Sequence, residues 1–201
     1  MNRQWVASIA ALLMLVSAGC RVRVDKDDNG KDKNVKIDTP MGGLHVRSNG
    51  ISAADVGLPA YPGAKIDSSE SNKSADIHLG FGEWQLRVKA VTYDSSDSQD
   101  KIIPFYQKAL GRYGDVIECR AKQPVGTPTV TREGLDCADD GKHGAKVDVS
   151  SDSELELKAG SKHHQHIVAL KSSDSSGSRF SLIELQLPSG LDSDSSKDSS
   201  N

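Results

Sequence analysis

Trp84-Gln85-Leu86-Arg87-Val88-Lys89-Ala90 places an apolar residue at every second position, with Gln85, Arg87 and Lys89 between them. A strand turns successive side chains to opposite faces, so this alternation predicts a half-buried strand. Val91 and Tyr93 fall on the opposite phase, which predicts either a bulge near Ala90 or burial on both faces. Upstream, Ala75–Phe81 reads as a further strand that Gly82 turns. Further upstream still, Val35-Lys36-Ile37-Asp38-Thr39 and Leu44-His45-Val46-Arg47 flank Pro40-Met41-Gly42-Gly43, a hairpin signature. Between these hairpins, Pro59, Pro62 and Gly63 rule out a regular helix.

Downstream the period changes. Ile102, Tyr106, Ala109 and Tyr113 recur at i, i+4, i+7 and i+11, flanked by Ile103, Phe105 and Leu110. Ser98 suits the N-cap, Asp100 the first turn and Gly114 the C-cap. Pro104 removes a backbone donor inside this span and predicts a first-turn irregularity or a kink. A strand is then predicted at 116–119, and further strands at 146–149, 154–158, 164–170 and 179–187. Ile167-Val168-Ala169-Leu170 is continuously apolar and suits a central strand, and Gly177 with its serine neighbours turns the last hairpin. One helix among many strands, without βαβ alternation, predicts an α+β fold: a mainly antiparallel sheet with one principal helix.

The chain of 201 residues fits one such domain, with a net charge of -3 and both signs mixed along it. With no basic block to neutralise phosphates, nucleic acid is excluded as a partner. Residues 20–36 carry many charges and few apolar groups and read as a flexible tether; residues 188–201 are rich in serine and aspartate and read as a disordered tail. The expected ordered domain is 37–187.

Arg3, the uncharged apolar run from Trp5 to Val16, and Ser17-Ala18-Gly19 have the layout of a secretory signal peptide over 1–19. The run is shorter than the roughly 20 helical residues that a bilayer crossing needs. Val16-Ser17-Ala18-Gly19-Cys20 resembles the lipobox of bacterial lipoproteins, although Ser17 stands where leucine is commoner. The resemblance implies a diacylglyceryl thioether on Cys20, cleavage before it, and acylation of the new amino terminus. The alternative is an ordinary secreted protein that happens to carry a cysteine after the cleavage point. In a Gram-negative cell, Arg21 after the cysteine, rather than aspartate, implies sorting to the outer membrane.

From Met41 onward the chain resembles a group of uncharacterised bacterial envelope lipoproteins. The resemblance rests on Gly57-Leu58-Pro59-Ala60-Tyr61-Pro62-Gly63-Ala64, the segment from Asp97 through Phe105-Tyr106 and Tyr113-Gly114 to Cys119, Glu156-Leu157-Lys158-Ala159-Gly160, and Gln165-His166-Ile167-Val168-Ala169. It implies kinship in fold and location and brings no activity with it. The stretch 37–47 also resembles the repeating strand unit of adhesin-type domains.

Three cysteines are present, so Cys119 and Cys137 remain after lipidation of Cys20. An isolated pair in an exported protein is expected to form a disulfide. Their spacing lacks the close C-x2–4-C of zinc sites and the C-x-x-C of exchange catalysts. His163-His164-Gln165-His166 is the histidine cluster. On a strand His164 and His166 share a face and could supply half of a zinc or copper site, with further ligands needed from His143, His78 or acidic neighbours. The alternative, which we favour, is a polar strand end beside Lys162 with His166 packed in place. Asp25–Asp32 has a calcium-loop look without the terminal glutamate. No G-x-S-x-G, Walker A or complete dinucleotide fingerprint occurs. Trp84, Tyr61 and Tyr93 are the large residues available either to anchor a ligand or to fill the core. The resulting expectation has no cofactor and no catalytic residue. It is a lipid-anchored envelope protein with a binding or scaffold domain for an unidentified protein or small ligand, and its alternative is a metal-binding lipoprotein using the histidines.

Overall fold

A computed structural model describes residues 20–26, 32–48, 50–67, 74–137, 154–172 and 177–188. The signal segment 1–19, the predicted strand 146–149, His143 and the tail from 189 onward lie outside the described residues. The strands are β1 Arg21–Lys26, β2 Asp32–Thr39, β3 Gly42–Arg47, β4 Lys65–Ile66, β5 Ala75–Phe81, β6 Trp84–Ser95, β7 Ile117–Arg120, β8 Gln123–Pro124, β9 Leu155–Ser161, β10 His164–Ser172 and β11 Ser178–Gln186. One helix, α1 Gln99–Leu110, lies between β6 and β7.

The strands form one sheet in the order β1-β2-β3-β5-β6-β11-β10-β9-β7-β8, and each of these neighbouring pairs is antiparallel. β5 pairs with the first half of β6, and β4 pairs with its second half through Ile66 opposite Tyr93. The chain therefore runs up the sheet as hairpins to β6 and crosses with α1 to β7. From β9 it returns inward through β10 to close on β6 with β11.

β6, β10 and β11 are central strands and are buried on both faces. Val91, Tyr93, Val168, Leu170, Phe180 and Leu182 face α1, whose Ile102, Tyr106 and Leu110 are fully buried against them. The alternate positions Leu86, Val88, Ile167, Ala169, Ile183 and Leu185 form a second buried cluster on the opposite face. Beyond Ile167 that face carries Lys158, only 1% exposed and paired with Glu156 at 3.1 Å. The pairing of β6 with β5 and β11 is unbroken through Ala90, so the phase change there reflects burial on both faces and not a bulge.

Three expectations are corrected. Among the described residues the expected mainly antiparallel sheet with one principal helix is present, but one helix of 12 residues against eleven strands makes the fold largely β, so α+β overstates the helix. The helix stops at Leu110, and a 3-10 turn, Gly111–Tyr113, carries the periodic pattern on to Gly114, whose φ is +124°. The expected tether over 20–36 instead contains β1 and most of β2, in register as Val22 opposite Ile37 and Val24 opposite Val35. Averaging charge along this segment hides a strand pattern. Its valines point to one face and Arg21, Arg23 and Lys36 to the other, so the charges stay solvated while the backbone pairs. The paired strands thus extend to β1.

Candidate functional site

The face of the sheet that bears α1 turns polar beyond the helix. Charged and imidazole side chains replace the apolar ones at matching positions on adjacent strands. In β10, β11, β6 and β5 the register sets His166 beside Glu184, Glu184 beside Lys89 and Lys89 beside Asp76. The carboxylate of Glu184 is the hub. It accepts hydrogen bonds from Lys89 Nζ at 2.6 Å, His164 Nε2 at 3.0 Å and Gln186 Nε2 at 2.9 Å. Burial pushes the Glu184 carboxyl up, but these donors outweigh burial and hold it below the usual carboxylate range, so it is ionised at neutral pH.

His166 is set by its neighbours. The 3-10 turn Ala54–Val56 ends at Gly57, whose φ is +77°, and presents the Val56 carbonyl to His166 Nδ1 at 3.1 Å. A carbonyl only accepts, so Nδ1 carries the proton and Nε2 keeps its lone pair. The ring stacks on Tyr113 at 3.6 Å, and the Tyr113 hydroxyl donates to the Gly57 carbonyl at 2.6 Å. A Cβ at Gly57 would stand 2.6 Å from that hydroxyl, so this close approach requires glycine. Burial, reinforced by His164, pulls the His166 pKa below its ordinary value, and the imidazole is neutral at pH 7.

His164, His166 and Glu184 each offer a ligand atom, all within 4.8 Å of one another. A neutral imidazole whose other nitrogen donates to a carbonyl is oriented as metal-ligating histidines usually are. Opposing this, Lys89 holds an ammonium against the same carboxylate and also donates to the Asp55 carbonyl at 2.8 Å. A cation bound here would also have to displace the proton that His164 gives to Glu184.

Of the further groups expected from His143, His78 or acidic neighbours, an acidic one, Glu184, lies beside the two histidines, and His143 lies outside the described residues. His78 instead lies edge-on to His45, their rings 6.1 Å apart. Sequence reasoning missed Glu184, Lys89 and Tyr113 as partners of the histidines. Glu184 did leave a signal, because it is the one charge within Leu182-Ile183-Glu184-Leu185. Tyr61 and Tyr93 are core residues, whereas Trp84 is half-buried at a sheet end beside Phe81. Cys119 and Cys137 form a disulfide with Cα atoms 5.6 Å apart, both buried against Ile117. Cys20 is exposed immediately ahead of β1. No helix among the described residues is long and apolar enough to cross a membrane.

Fold and site together define an antiparallel-sheet protein with a buried-histidine, carboxylate-centred cluster on its polar face. No family model, curated protein or solved structure matches the chain.

Proposed function

We propose that the chain is a bacterial envelope lipoprotein, anchored through acylated Cys20 at the outer membrane. Its sheet is a binding or scaffold domain for an unidentified protein or small ligand. The observation that carries this reading is the lipobox-like segment ending at Cys20, which stands exposed at the first residue before the fold begins. The Cys119–Cys137 disulfide is consistent with an oxidising, exported compartment. Several acyl chains, each methylene contributing ~0.8 kcal/mol on burial, hold such a protein stably on a bilayer.

Substituting Cys20→Ser is expected to move the protein from the detergent phase to the aqueous phase of a phase-separation extract, or to leave uncleaved precursor. Intact wild-type protein partitioning into the aqueous phase would overturn the anchoring reading.

A second reading, metal binding, is favoured by the convergence of His164, His166 and Glu184. The Lys89 ammonium beside Glu184 weighs against it, because an incoming cation meets a like charge in a partly buried setting. Titration of the purified protein with zinc and copper is therefore expected to show weak binding that His164→Ala with His166→Ala leaves unchanged. Micromolar or tighter binding, abolished by the pair of substitutions, would reverse the order of the two readings.

A further inference from the structure

We infer that the end of the sheet next to Cys20 is a membrane-contacting rim, seated in the lipid interface by Met41, Phe81 and Trp84; this rests on the anchoring reading above. The register places these residues together. Thr39 faces Gly42, Gly42 faces Phe81, and Phe81 faces Trp84, one row across β2, β3, β5 and β6. Arg21 faces Asp38, so Cys20 emerges at the outer end of that row. An acyl chain on Cys20 would therefore hold this end, and no other, against the headgroups.

The rim is also where the apolar surface lies. Of the seven exposed large hydrophobic residues among those described, Met41 and Phe81 fall at this end and Val22 lies two positions in from it on β1, whereas Val24 is level with Val46 towards the other end. Met41, in the β2–β3 turn, is 83% exposed, and Phe81, at the end of β5, is 54% exposed. Phe81 lies against Trp84 with ring centroids 6.1 Å apart, and its ring covers Gly42, where a Cβ would stand 2.6 Å from it. Scattered single exposed apolar residues are ordinary, but a cluster at one end marks a contact. At their other ends β3 finishes at Arg47 and β6 at Ser95, with exposed Ile66 paired to β6 two positions before it.

The chemistry of the cluster fits a bilayer surface. Tryptophan favours the headgroup level, where its ring meets acyl chains and its N–H meets water. Arg21 and Arg23 alternate with Val22 and Val24 on β1, so one face can meet acyl chains while the other meets anionic headgroups. The rim orients the domain, whereas the acyl chains supply the affinity. The polar face with Glu184 then stands along the membrane normal.

The protein carries its own probe. Cleavage before Cys20 removes Trp5, and Trp84 is then the single tryptophan. The mature protein, purified from cells, is placed on vesicles of phosphatidylethanolamine and phosphatidylglycerol, with and without bromine on the acyl chains. Mass spectrometry of the N-terminal peptide reads acylation independently. The expected result is an acylated terminus, loss of most Trp84 fluorescence with brominated lipid, and recovery of that fluorescence when Met41→Ser and Phe81→Ser are combined in the still-acylated protein. An acylated, vesicle-bound protein whose Trp84 ignores the bromine overturns the rim and leaves the anchor standing. Quenching that Met41→Ser with Phe81→Ser does not change also overturns it, because the anchor alone would then bring Trp84 close. An unmodified Cys20 overturns the anchor and the rim together. Shielding of Trp84 that follows protein concentration and not bromine would assign the rim to a second copy of the chain, against the proposal.

Discussion

Phe180→Ala is expected to cost ~3–5 kcal/mol of folding stability, the range for deleting a buried phenylalanine ring. That is a large share of the roughly 5–15 kcal/mol that holds a domain together. Phe180, 1% exposed, sits where three elements converge. Its ring stacks on Tyr93 of β6 at 5.6 Å, lies 5.5 Å from Tyr106 of α1, and meets Tyr61 of the loop after β3 edge-on at 6.3 Å. Removing it leaves a void between sheet and helix that no single neighbour can fill, since Tyr106 is itself held to the Pro59 carbonyl by its hydroxyl. Urea denaturation would read the change. Phe81→Ala, at an exposed position, supplies the contrast and is expected to leave the midpoint almost unmoved. A loss below about 1 kcal/mol for Phe180→Ala would mean that the helix is not packed through this ring.

Removing the disulfide is the other large effect. Cys119 is buried in the strand β7, and Cys137 lies 18 positions further along the chain. Closing a loop of that size is worth ~3 kcal/mol in the chain-entropy account. At about 2–4 °C per kcal/mol for a chain of this size, reduction should lower the melting temperature by roughly 10 °C. The double substitution Cys119→Ala with Cys137→Ala should melt at the reduced protein's temperature and show no further response to reductant. A wild-type melting curve that does not shift under reductant would show that the bridge is not formed in the protein.

The parts of the fold visible beforehand are those in which a local pattern carries the physics. Ala75–Phe81, the alternation from Trp84 and the run 167–170 are all strands, since period-two burial is written residue by residue. The helix was visible for the same reason, and Pro104 did not interrupt it because the stripe of Ile102, Tyr106 and Leu110 packs on the sheet. The cysteine pair was expected from the count of cysteines together with the export expected of the N-terminal segment, and the disulfide is present. β1 was not, because its stability comes from pairing with β2, and a window over 20–36 records only its charges.

The site shows the same division more sharply. That His164 and His166 share a face follows from strand geometry and needs only the sequence. That Glu184, 18 residues past His166, completes the cluster depends on the β10–β11 register, and one residue of slip would turn Glu184 to the opposite face. The tautomer of His166 depends on the Val56 carbonyl, which lies 110 positions away in the chain and is brought in by a turn that only Gly57 permits. Likewise Met41, Phe81 and Trp84 are unremarkable as separate letters and become a rim only when four strands align them beside Cys20. Patterning along the chain thus chose most of the strands and the helix, because each is decided by residues within a few positions of one another, while the covalent bridge followed from the cysteine count. Which polar groups meet, and which end of the sheet is apolar, was left to long-range register, whose energy is shared among pairings that no local window contains.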